Sequence, residues 1–165
     1  MRLNNKIAII TGSASGFGKG IAKKFTEEGA NLILVDVNLK LLKEVSKNLS
    51  QDYFVADVSK ASNFNSLLKY AYKKYNSVDI FVNNAGITHK PKPKESETEK
   101  ELDKVFNVNA KSVYYCGKFF VPKMKKLKKG VILNVASTAD ILPLNTPSPV
   151  TLIPVLVVAS FTELL

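Results

Sequence analysis

Lys6-Ile7-Ala8-Ile9-Ile10-Thr11-Gly12-Ser13-Ala14-Ser15-Gly16-Phe17-Gly18-Lys19-Gly20-Ile21-Ala22 is the stretch on which the reading of this chain turns. Residues 6–11 form a short continuous apolar run, the pattern of a strand buried on both faces. Residues 16–28 read as a helix on which Gly18, Ile21, Ala22 and Phe25 share one face. Glycines at 12, 16 and 18 join the two elements. They let the backbone turn tightly and approach an anion, while the free N–H groups of a helix start carry the positive end of its dipole. Taken alone, such a stretch is either a tight turn or a cradle for a diphosphate.

Outward from that turn the same alternation continues. Residues 31–36 are a second strand, Asn38 can cap a helix through about residue 49, and residues 53–56 are a short third strand. A helix over about 60–75 and a fourth strand at 78–83 follow, then a Lys/Pro-rich loop at 89–94. One long helix is expected over roughly 99–126, with a fifth strand at 131–136. In that helix Val113, Gly117, Phe120, Val121 and Met124 fall on one stripe and are expected to be buried. Alternation of this kind predicts an α/β fold: a Rossmann-like, doubly wound parallel sheet with strand order 3-2-1-4-5.

Asp36 ends the second strand, eighteen positions after Gly18. A carboxylate there can accept hydrogen bonds from an adenosine ribose, which turns the glycine-rich stretch from a weak signal into a candidate dinucleotide site. The alternative is a strand-end carboxylate facing solvent. A 2′-phosphate beside Asp36 would be repelled, and neither Ser15 nor Val37 is basic, so NAD is expected rather than NADP.

Composition narrows the classes. With 45% hydrophobic and 23% charged residues, the chain has enough apolar content for one domain with a core. Cys116 is the single cysteine, so no intramolecular disulfide forms, and no His/Cys cluster has metal-ligand spacing. A reducing, cytoplasmic setting is expected. Residues 1–5 do not resemble a signal peptide, and no apolar stretch reaches membrane-spanning length, so neither export nor a membrane partner is expected. The net charge of +10 would suit a nucleic-acid partner, but the lysines are scattered over several helices. The one dense run, Lys123, Lys125, Lys126, Lys128 and Lys129, sits where a helix ends and cations favour the dipole. No nucleic-acid partner is expected.

Several short motifs now line up: the Thr11-Gly12-x-x-x-Gly16-x-Gly18 spacing, Asp57-Val58 after the third strand, and Asn83-Asn84-Ala85-Gly86 after the fourth. Asn109 in the long helix and Asn134-Val135-Ala136-Ser137 after the fifth strand complete the set. Together they resemble the short-chain dehydrogenase/reductase family. Gly16 to Gly18, Thr88-His89 and Ser137-Thr138-Ala139 are most similar to its 3-oxoacyl-carrier-protein-reductase-like branch. The resemblance implies hydride transfer between NAD and a small-molecule alcohol or ketone, and full-length family members are homo-oligomers. It gives Gly12, Ser13, Ser15, Gly16, Phe17, Gly18 and Asp36 to the dinucleotide. Asp57 would receive the adenine amino group, Val58 would contact the ring edge, and Asn84, Ala85 and Gly86 would close over the ribose. Asn109 would interrupt its helix and hold a water of a proton relay, and Ser137 would bind the substrate oxygen. Read without the family, Asn83 to Gly86 is a turn, Asn109 an ordinary helical residue and Ser137 a cap.

The resemblance covers residues 5 to about 139. Family members follow the serine with Tyr-x-x-x-Lys on a helix, the acid and the charge that lowers its pKa. This sequence has no Tyr after Tyr115 and no Lys after Lys129, and Pro143, Pro147, Pro149 and Pro154 would break the helix. Tyr70-x-x-x-Lys74 and Tyr114-x-x-x-Lys118 match the letters but precede Ser137, and no catalytic role is expected of them. The expectation is therefore one incomplete dinucleotide-binding domain: 1–139 family-like and 140–165 a divergent tail, from a shifted frame or early stop near Pro143. Such a chain should be marginally stable or self-associate along its last strand. Three functions compete: an oxidoreductase with impaired turnover, a non-catalytic nucleotide-binding fragment, and a basic adaptor for nucleic acid or an acidic protein.

Overall fold

The computed structural model describes residues 1–88, 94–96 and 98–136. Five strands form one sheet: β1 (Ile7–Thr11), β2 (Asn31–Asp36), β3 (Asp52–Val55), β4 (Ile80–Asn83) and β5 (Val131–Asn134). Their order is β3-β2-β1-β4-β5 and every pairing is parallel, as the sequence predicts. The crossovers are α1 (Gly16–Glu27), α2 (Leu39–Leu49), α3 (Ala61–Tyr75), and the pair α4 (Glu99–Asn109) and α5 (Lys111–Leu127). A 3-10 turn, Lys94–Ser96, precedes α4.

Both faces of the sheet are covered, so the central strands are apolar at successive positions instead of alternating. All five residues of β1 are buried. Ile9, Ile33, Val35 and Phe81 face Phe64, Leu67 and Ala71 of α3 and Cys116, Phe120 and Met124 of α5. Ala8, Ile10, Leu32, Leu34 and Val82 face Ala22 of α1 and Leu42 and Val45 of α2. Each fully buried Ile, Leu or Phe contributes about 2 kcal/mol of hydrophobic stabilisation, which makes this two-sided packing the main force holding the layers. Phe81 adds an edge-on contact with Phe120, ring centroids 4.7 Å apart.

Two sequence expectations need correction. The long helix is two: Ala110, between α4 and α5, still has right-handed helical angles, and the flanking bonds Ala110 N to Phe106 O and Tyr114 N to Ala110 O join them without a loop. The side chain of Asn109 is engaged by a distant turn at this point, a contact local periodicity does not register. The buried stripe of α5 is also rotated, to Ser112, Cys116, Phe120 and Met124, with Val113, Gly117 and Val121 half-buried. Cys116, Phe120 and Met124 pack on the sheet, and Val113 and Val121 flank that contact.

Asn38 caps α2 as expected, accepting from the amide of Leu41 (3.1 Å). The third strand starts one residue earlier than read and the fourth two residues later. Among the described residues β5 pairs only with β4, and its Val131 and Leu133 are exposed. Most of the expected 89–94 loop, Ser137 and the 140–165 tail lie outside the described residues.

Candidate functional site

A cleft of about 930 Å³ opens at the carboxyl ends of β1 to β4. It lies where the strand order reverses between β1 and β4, the point at which two crossovers diverge and leave a crevice. Of the residues singled out in the sequence, Gly12, Ser15, Gly16, Phe17, Asp36, Asp57, Val58, Asn84, Ala85 and Gly86 line it. Ser13, Gly18 and Asn109 do not line it.

The glycine turn is held from below by Thr11. Its buried hydroxyl donates to the carbonyl of Val82 (3.2 Å) and accepts from the amides of Asn84 and Ala85 (both 3.0 Å). Asn84 returns the contact, its Nδ2 donating to the carbonyls of Thr11 (2.9 Å) and Gly12 (3.3 Å). The ends of β1 and β4 are thus tied by five hydrogen bonds. Close approach explains two of the glycines. Gly12 has a φ of +65° and a Cβ there would lie 2.9 Å from the Cα of Ala85; one on Gly18 would lie 2.1 Å from the carbonyl oxygen of Gly12. Gly16 differs: its φ is +51°, but a Cβ would meet no protein atom within 4 Å, so this part of the turn faces open space.

At the start of α1 the Ser15 side chain makes no cap and no acidic residue occupies the first turn. The first amides of a helix have no partner within it, so an uncapped, carboxylate-free start is an anion-binding feature. Ser13 is fully buried, and both its amide (3.2 Å) and its hydroxyl (3.3 Å) donate to the carbonyl of Val35. Its work here is to stitch the turn to β2.

Asp36 is fixed by two backbone amides, Ala14 N to Oδ2 (3.1 Å) and Asn38 N to Oδ1 (2.9 Å). Each carboxylate oxygen retains a further acceptor site, so the group is oriented without being saturated. Asp57 sits at the other end of the cleft. Burial pushes its carboxyl up, but hydrogen bonds from the hydroxyl (2.6 Å) and amide (3.0 Å) of Ser59, with the charge of Lys60, outweigh this and hold it below the usual range.

Asn109 pairs with the turn after β4 like a peptide group. Its Oδ1 accepts from the amide of Ile87 and its Nδ2 donates to the carbonyl of Ile87, both at 2.9 Å. Nearby, Asn83 and Asn134 meet across β4 and β5, Nδ2 to Oδ1 at 2.8 Å, and the amide of Val135 donates to the carbonyl of Asn83 (2.9 Å). These contacts fix the exit of β5, the strand that leads to Ser137.

The two Tyr-x-x-x-Lys letter matches lie elsewhere. Lys74 is ion-paired with Asp52 at the opposite end of β3 (2.5 Å), and the Tyr75 hydroxyl donates to the same carboxylate. Tyr114 is exposed, with Lys118 over its ring at 5.9 Å. Neither pair lines the cleft.

One wall was missed from sequence: Lys100, Asp103, Lys104, Asn107 and Val108 of α4. Their spacing of i, i+3, i+4, i+7 and i+8 is one helix face, a pattern the mixed polar composition of α4 concealed. Among the described residues there is no helix long and apolar enough to cross a membrane, and no cluster of three or more His, Cys, Asp or Glu suited to a metal ion.

The short chain dehydrogenase profile matches residues 6–148. 4-Formylbenzenesulfonate dehydrogenase of Comamonas testosteroni is 36% identical, the match covering 87% of this chain and 59% of that protein. The 3-oxoacyl-[acyl-carrier-protein] reductase of Thermotoga maritima is 35% identical over 86% of this chain and 59% of its own length. Among solved structures, the 3-ketoacyl-(acyl-carrier-protein) reductase of Brucella melitensis, crystallised with NADH, is similar with a TM-score of 0.80. It is 38% identical, covering 83% of this chain and 59% of that one. The chain therefore spans less than two thirds of the length of these relatives. A profile match over most of its length, on a parallel sheet with a glycine-lined cleft at the strand-order reversal, places the chain in the short-chain dehydrogenase family.

Proposed function

We propose that the cleft binds a nicotinamide dinucleotide, NAD in preference to NADP, and that the whole protein is an oxidoreductase of a secondary alcohol/ketone pair, similar to 3-oxoacyl reductases. The observation that carries this reading is the conjunction at one crevice of an uncapped α1 start, the open Gly16 and a backbone-oriented Asp36. The residues fit the group: the turn would take its diphosphate, Asp36 its adenosine ribose, and Asp57 with Val58 its adenine.

When bound, the dinucleotide supplies the hydride. The chain supplies position. Thr11 and Asn84 keep the β1 and β4 turns in fixed separation, so that Ala85 and Gly86 close one side of the cleft. Asn109 secures Ile87 in that turn, and by the family resemblance it would hold a water of a proton relay. Ser137, three residues beyond Asn134, would hydrogen-bond the substrate oxygen.

A second reading, a nucleotide-binding chain without turnover, is favoured by one fact. No Tyr follows Tyr115 and no Lys follows Lys129. Loss of a general acid typically lowers rates by about 10²–10⁴-fold, so the 165-residue chain is expected to bind NADH but reduce ketones very slowly. Calorimetric titration with NADH and NADPH tests the binding claim, and the absence of any NADH affinity defeats it. Ketone reduction at a rate ordinary for an enzyme would defeat the second reading and leave the first. The cytoplasmic setting belongs to this proposal too, and fractionation of expressing cells checks it.

A further inference from the structure

The wall that α4 contributes to the cleft has a charge pattern the glycine turn does not explain. Lys100 and Lys104 stand one helical turn apart on the cleft face, with Asp103 beside them. Neither lysine has an ion pair or hydrogen bond among the described residues. Of the acidic residues on the same helix, Asp103 alone shares the cleft face with them. Glu101 is engaged at the helix start, where its Oε2 accepts from the amide (3.0 Å) and hydroxyl (2.7 Å) of Thr98 in a capping box. Glu99 does not line the cleft. Opposite, Asp57 has its own cation, Lys60, at 3.5 Å.

α4 is also held in place at both ends. The capping box fixes its start, Val105 is buried on its inner face, and Asn109 bonds Ile87 at its end. The cleft is therefore flanked by two lysines on an anchored helix, across from the uncapped start of α1, with Asp103 offsetting part of their charge. Cations lining a concave surface raise the local concentration of anions, an attraction that salt screens.

We propose that Lys100 and Lys104 form an electrostatic clamp on the phosphate charge of the bound dinucleotide, with Asp103 moderating its strength. This rests on the dinucleotide reading above. It adds α4 as a second cofactor-binding wall whose effect depends on salt, in contrast to the hydrogen bonds made by the glycine turn and Asp36.

The test is NADH titration of the parent chain, Lys100→Gln/Lys104→Gln and Asp103→Asn at ionic strengths of about 20 and 300 mM, where screening is weak and strong. The double variant should bind NADH about fivefold more weakly than the parent at low salt and nearly equally at high salt. Asp103→Asn should bind about twofold more tightly at low salt. All three side chains are exposed, so unchanged thermal midpoints are expected and separate a charge effect from misfolding. If the parent binds NADH and the double variant matches it at low salt, the clamp is refuted while the dinucleotide site stands. If the parent does not bind, both fall.

Discussion

Thr11→Val removes the hub beneath the glycine turn while keeping nearly the same volume. The hydroxyl of Thr11 makes three hydrogen bonds and the residue is 2% exposed, so water does not replace them. The substitution leaves two amides and one carbonyl short of a partner. A typical net hydrogen bond contributes about 1 kcal/mol, and leaving a buried group unsatisfied costs roughly 1–3 kcal/mol. Partial relaxation of the turn recovers part of this, which gives a loss of about 3 kcal/mol. For a domain of this size, that lowers the unfolding midpoint by roughly 10 °C. Thr11→Ser keeps the hydroxyl and loses only a methyl group, a loss of about 1 kcal/mol. Urea and thermal unfolding followed by far-ultraviolet circular dichroism give both values. If Thr11→Val is no less stable than Thr11→Ser, the hydroxyl does not tie β1 to β4 and the reasoning about the turn is wrong.

Asp36→Asn keeps the size of the side chain and deletes its charge, so the preference for NADH over NADPH should shrink by about tenfold in competitive titrations; an unchanged ratio would clear Asp36 of any part in cofactor choice. Cys116 is fully buried, and burial pushes its thiol up to about 12, with a smaller opposing effect from Asn83. Iodoacetamide at pH 8 should therefore modify it only as fast as the chain unfolds, and prompt labelling of the folded chain contradicts the packing of α5. Acid should destabilise the fold. The hydrogen bond from the Arg2 amide holds Glu28 at about 2 against the opposing effect of burial, with help from Lys24. Asp52 is also held low: burial raises it, and Lys74 and Tyr75 more than offset that. A depressed folded pKa means stability present above the unfolded value near 4 and lost as pH falls toward 2. Glu28→Gln should flatten the lower part of that profile, and an unchanged profile would assign the acid sensitivity to other groups.

The parts of this fold carried by continuous apolar runs were legible in sequence. Each central strand is flanked by helices on both faces, and residues such as Ile9, Ile33 and Phe81 have no alternative placement once the alternation is recognised. The glycine turn and Asp36 were equally legible, because each is adjacent in the chain to the strand that positions it. Properties set by distant contacts were not. Asn109 ends α4 through bonds to Ile87, twenty-two positions away, and the apolar period runs straight through that break. Ser112 and Cys116 are buried while Val113 is half-buried, because the face α5 turns to the sheet is set by its packing and not by local hydrophobicity alone. The α4 wall escaped notice for a third reason. A cleft-facing helix surface built from Lys100, Asp103, Lys104 and Asn107 has the composition of a solvated face.

The central claim is that the crevice between β1 and β4 holds a nicotinamide dinucleotide across the glycine turn, Asp36 and Asp57. A titration of the isotope-labelled chain with NAD, read amide by amide in nuclear magnetic resonance spectra, tests it most directly. The expected result is saturable shifts confined to Gly12, Gly16 to Gly18, Asp36, Asp57, Val58 and Gly86, with Asp52 and Tyr75 at the opposite end of the sheet unmoved. Shifts centred on that opposite end, or none at millimolar NAD, contradict it.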